Sequence, residues 1–72
     1  MLFSENIKIM RQKLFLSQDT FAKELEVSVS TVNRWEIGKS MPNLSTMKRI
    51  KEFCDRNNVD YAPIEESWLA DR

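Results

Sequence analysis

Val29, Ser30, Asn33 and Arg34 are the side chains here whose types and spacing could do chemistry. Separated by one, three and four positions, they share the outer face of a helix running from about Ser28 to Glu36. An arginine presents a planar fork that fits two acceptors side by side. An asparagine amide presents one donor beside one acceptor. These patterns match the major-groove edges of guanine and adenine, and the other two side chains are short enough to let a helix approach them. Catalysis is not supported by the same inventory. The chain has no histidine to act as base, its acids show no paired spacing, and no glycine-rich loop could cradle a phosphate. With no histidine and a single cysteine, Cys54, no metal site is expected, and no cofactor is implied.

The elements that must position this face follow from the rest of the chain. Seventy-two residues allow one domain. One glycine and two prolines leave few helix breakers, and no stretch sustains the alternation of a strand, so an all-α fold is expected. Ser4 is a candidate cap for a first helix carrying Ile7, Met10, Arg11 and Leu14. Ser17 caps a second, with Phe21, Ala22 and Leu25 inward. Ser28 caps a third, with Val32 and Trp35 inward and Gly38 as its stop. Pro42 and Asn43 introduce a fourth, burying Leu44, Met47, Ile50 and either Phe53 or Cys54, and Asn57-Asn58 ends it. Pro63 at a first helical position, followed by Glu65 and Glu66, marks a short fifth helix with Trp68 and Leu69.

Lysines and arginines balance aspartates and glutamates at eleven each, but the distribution is uneven. Between Val27 and Lys51 the charges are Arg34, Lys39, Lys48, Arg49 and Lys51 against Glu36 alone. From Val59 onward they are Asp60, Glu65, Glu66 and Asp71 against Arg72. A basic middle suits a polyanion, and an acidic tail does not. No apolar run reaches membrane-spanning length and the start lacks the features of a signal peptide, so a cytoplasmic protein with no membrane contact is expected.

Ser17 and Ser28 lie eleven positions apart, with only Glu26-Val27 joining the second helix to the cap of the third. Two short helices joined so tightly must cross steeply. Ala22 supplies the small residue a close crossing needs, and Val27 and Val32 can fill the angle. Together with Ile7-Lys8, Arg11, Leu16-Ser17-Gln18, Leu25, Thr31-Val32, Arg34-Trp35-Glu36, Gly38 and Pro42, these residues resemble the Cro/CI-type (XRE-like) helix-turn-helix family, over about residues 5 to 55.

The resemblance implies a compact four- to five-helix, lambda-repressor-like domain over residues 1–58, with the helix-turn-helix formed by helices two and three, and a C-terminal extension over 59–72. It implies a sequence-specific double-stranded DNA-binding transcriptional regulator, a repressor or autoregulator. Val29, Ser30, Asn33 and Arg34 would read bases. Gln18, Ser28, Thr31 and Lys39 would make phosphate or flanking contacts. Arg11 and Glu36 would form an internal ion pair joining the first and third helices. Glu26 stands where the family turn often has glycine, which fits if the backbone there is not left-handed. Ile9, Leu14 and Phe15 are apolar where the family is usually polar, or glycine near position 15. Ile9, Phe15, Trp68 and Leu69 leave three readings open: scattered surface residues, a tail folded onto the first helix, or a homodimer interface. A second class of function also stays open, an antitoxin-like module of the same fold that engages a protein partner through the extension. A third reading is the DNA-binding domain of a larger regulator.

Overall fold

Helix α1 begins one residue before the expected cap. In the computed structural model, which describes residues 2–71, α1 spans Phe3–Lys13 and Ser4 lies inside its first turn. Leu2 occupies the cap position in an extended conformation, and its N–H donates to the Glu5 carboxylate at 3.0 Å. Burial sets this start: Phe3 is fully buried in phase with Ile7 and Met10. Its own N–H, which has no intrahelical carbonyl, donates to Asp71 Oδ2 at 2.7 Å.

The other four helices are α2 (Gln18–Leu25), α3 (Val29–Glu36), α4 (Leu44–Arg56) and α5 (Ala62–Asp71), with no strand among the described residues. Ser17, Ser28 and Asn43 cap α2, α3 and α4, each accepting from the N–H three residues on. Helix α5 opens at Ala62, whose N–H donates to Asp60 Oδ1 at 3.1 Å, so Pro63 is its second residue rather than its first.

Left-handed backbone ends several of these helices. Gly38 follows α3 at φ 78°, and a Cβ there would make only an ordinary contact with Ser4 Oγ at 4.0 Å, so the conformation alone explains the glycine. Asn58 takes φ 55° after α4. Phe15 and Glu26 take φ 59° and 58°, where a side chain is strained. The condition under which Glu26 would fit the turn without strain, a backbone that is not left-handed, is therefore not met. Val27 N–H must reach back to Ala22 O at 3.0 Å to turn the chain so sharply, and that closure needs a left-handed residue between them.

All five helices share one core. Phe3, Ile7, Phe21, Leu25, Val32, Trp35, Ile50, Phe53, Cys54, Ile64 and Trp68 pack into it, with Phe21 and Phe53 meeting edge to face at 5.2 Å. Both Phe53 and Cys54 are buried. Leu44 is exposed, against expectation, because buried Pro42 and the Trp68 indole close that end of the core. Helix α5 folds back onto α1, and Asn6 Nδ2 donates to Pro63 O at 3.2 Å. Of the unusual apolar residues only Trp68 is covered. Ile9 is at the edge of exposure, Leu69 is half exposed, and Phe15 is 95% exposed.

Candidate nucleic-acid interface

The crossing of α2 and α3 is built around Ala22, whose small side chain is buried, with Val32 and Trp35 buried beneath α3. Val27 is half-buried in the angle. In an eight-residue helix that phase leaves Val29, Ser30, Asn33 and Arg34 on the opposite side, and all four are exposed. The structure thus brings the four candidate base readers onto one free surface.

The flanking candidates have distinct surroundings. Ser28 Oγ accepts from Thr31 N–H at 3.2 Å and lies 2.8 Å from Thr31 Oγ1 and 3.2 Å from Ser30 Oγ, so the three hydroxyls form one cluster at the start of α3. Thr31 itself is half-buried. Lys39 is exposed, and its backbone N–H donates to Arg34 O at 2.9 Å, which fastens the loop after Gly38 to the end of α3. Arg34, Lys39 and Lys48 form no ion pair among the described residues, whereas Lys51 pairs with Asp55 at 3.3 Å.

Below this surface Arg11 and Glu36 form a two-pronged ion pair. Arg11 Nε donates to Glu36 Oε2 at 2.7 Å and Nη2 to Oε1 at 2.9 Å, while Nη1 donates to Leu16 O at 2.8 Å. The Glu36 side chain is only 3% exposed. Burial pushes its carboxyl up, but hydrogen bonds from Arg11 and Gln18 and the Arg11 charge outweigh that and hold it below the ordinary range. The Arg11 guanidinium is raised, first by its hydrogen bond to Glu36. Glu36 therefore places little free negative charge near the α3 surface.

Two contacts here escaped the sequence reading. Gln18 Nε2 donates to Glu36 Oε1 at 3.0 Å and, at a longer 3.4 Å, to Asn33 Oδ1. The side chain read as a phosphate contact is thus tied to the inside of the fold and to a candidate base reader. Arg49, counted in the basic middle, donates to Leu25 O at 3.3 Å, with Glu26 O at 3.5 Å, where a cation suits the end of α2. Neither contact has a local signal, because each joins residues fifteen or more apart, Gln18 across the crossing of α2 and α3 and Arg49 from α4 to the end of α2. Among the described residues no three metal-ligating side chains come together, and no helix is long and apolar enough to cross a membrane.

The arrangement has relatives. A family profile described as Helix-turn-helix matches residues 7–57, from α1 through α4. The HTH-type transcriptional activator BcrR of Enterococcus faecalis is 36% identical over 53 residues, which make up 74% of this chain and 26% of that protein. The chain thus spans about a quarter of the length of that relative. No solved structure matches it at a significant level. With the matched segment covering both crossed helices and the ion pair beneath them, the chain belongs to the Cro/CI-type (XRE) helix-turn-helix family of DNA-binding transcription regulators.

Proposed function

We propose that the chain binds double-stranded DNA sequence-specifically by laying α3 in the major groove, and that it acts in the cytoplasm as a repressor or autoregulator. The observation that carries this reading is the α3 surface: Val29, Ser30, Asn33 and Arg34 are exposed together on a helix whose opposite face is locked into the core. Arg34 matches the guanine edge and Asn33 the purine edge carrying N7, while Val29 and Ser30 read at closer range. Lys39, Ser28 and Thr31 flank that face and contact phosphate, which sets the docking register. Gln18 contributes through its backbone N–H, one of the first-turn donors of α2 that no intrahelical carbonyl accepts.

The domain is 26 Å across in its longest dimension, less than the roughly 34 Å between half-sites one helical turn apart. One copy therefore reads one half-site, and a two-fold operator takes a homodimer. Repression follows where the operator overlaps a promoter. The relative named an activator favours a second outcome, the same docking beside a promoter, within a longer regulator. Selection of bound sites from a random duplex library tests the proposal. An enriched half-site, single or repeated at about one-turn spacing, is expected. Uniform binding to all duplexes would overturn it.

A further inference from the structure

We infer that Gln18 is a positioning residue for base reading: its amide turns the Asn33 side chain so that Asn33 presents its Nδ2 donors to the DNA. The inference rests on the proposed docking of α3 and deepens it. Glu36 is the fixed point. Its carboxylate is nearly inaccessible and is held by two hydrogen bonds from Arg11, so it cannot swing. Glu36 Oε1 accepts from Gln18 Nε2 at 3.0 Å. A carboxylate can only accept, so the nitrogen of the Gln18 amide must face it and the amide cannot flip. That nitrogen carries a second proton, and Asn33 Oδ1 lies 3.4 Å from it. The Asn33 oxygen is drawn toward α2, and the Asn33 nitrogen is left facing outward from an exposed position.

An asparagine free to rotate offers either a donor or an acceptor to the groove. Held in this way, Asn33 offers donors, which fit the N7 and O6 of guanine, the N7 of adenine and the O4 of thymine and conflict with the N4 amino group of cytosine. The chain of contacts runs from a buried ion pair to a specificity-determining side chain without Gln18 touching a base. In the DNA-free chain both hydrogen bonds of Gln18 Nε2 are internal, to Glu36 at 3.0 Å and to Asn33 at 3.4 Å.

The test uses the whole chain and the duplex selection already described. Asn33→Ala identifies the base pair that Asn33 reads. Gln18→Met keeps the bulk of the side chain and removes its donors. At that base pair the wild-type discrimination against cytosine should be about tenfold. In Gln18→Met it should fall at least threefold, with the other positions of the site unchanged and no further loss in the double variant Gln18→Met/Asn33→Ala. A merely structural role would lower affinity at every position equally, and that result overturns the inference while leaving the docking intact. No enriched site for the wild type overturns both. A measurement without DNA stands beside these. The side-chain NH2 of Gln18 should be rigid by NMR relaxation in the wild type and mobile in Glu36→Ala, or in Glu36→Met, which fills the space without an oxygen acceptor, should that variant alone fold. A freely averaging Gln18 amide in the wild type overturns the inference whatever the DNA does.

Discussion

The indole Nε1 of Trp68 donates to the carbonyl oxygen of Pro42 at 2.8 Å, joining α5 to the segment between α3 and α4. Trp68 is 7% exposed and belongs to the same core as Ile7 and Trp35. The last helix is thus part of the packing of the first four, although the family match ends at residue 57.

Trp68→Ala should lower stability by about 3–5 kcal/mol, from the cavity it leaves and the loss of its hydrogen bond. Trp68→Phe keeps most of the packing and should cost less. Because the dock is intramolecular, the melting temperature of the DNA-free protein should not depend on protein concentration. A melting temperature that rises with concentration in the wild type but not in Trp68→Ala would show that a second copy covers the ring instead.

Arg11→Ala should destabilise the fold by about 3–5 kcal/mol by leaving Glu36 buried without its partner. The pair also sets a pH dependence. The folded-state pKa of Glu36 lies below its unfolded value, so its contribution is present above the ordinary glutamate range, about pH 4.3, and is lost as the pH falls through the folded value. Chemical denaturation between neutral pH and pH 3 should show this acid loss, and Glu36→Gln should reduce it. Equal acid sensitivity in the two proteins would locate the effect in other carboxylates.

Phe15→Gly and Glu26→Gly should each stabilise the chain by about 1 kcal/mol, because glycine relieves the left-handed strain at a modest entropic cost. Phe15 loses little packing, being almost fully exposed. For a domain of this size the gain is about 4–8 °C in melting temperature. Gly38→Ala should move the other way by a similar amount, since φ 78° and not crowding holds the glycine there. Unchanged melting by either glycine variant would mean that its backbone site is not strained.

Arg34→Ala should weaken specific binding by about 1–3 kcal/mol and relax preference at particular base pairs. Lys39→Ala should weaken binding nearly uniformly across sequences and flatten the salt dependence by about one unit of log–log slope. Titrations at several salt concentrations, on selected and random duplexes, separate the two. Equal losses for Arg34→Ala on both duplexes would remove it from the base readers.

The parts of the fold legible in the sequence are those with local causes. Ser17, Ser28, Asn43 and Gly38 act on backbone groups within a few residues, so they mark helix ends without knowledge of the rest. The buried faces of α2 and α3 are equally local, being set by helical period. Errors arose where a distant group decides. Ser4 loses the cap because Asp71 and the buried Phe3 ring move the start of α1 back. Leu44 is excluded by the closure at Pro42 and Trp68. Glu26 and Phe15 carry no glycine to announce their left-handed backbone. In the candidate site the outward face of α3 was legible by period, whereas the link from Gln18 to Asn33 exists only because α2 and α3 cross.

Cys54 is fully buried in α4 with its Sγ 3.5 Å from Met10 Sδ on α1, and burial, aided by Asp55 and Asp60, pushes its thiol up to about 11. A thiolate-seeking reagent at neutral pH thus meets neither access nor the reactive form while α4 stays packed in the core. As the chain has no other cysteine, each labelled molecule records one opening event. The wild-type protein therefore carries its own stopwatch. Labelling rates measured against reagent concentration give the frequency and the free energy of opening, with no engineered probe. The same clock run with and without a bound duplex would weigh DNA binding by how far it slows the count.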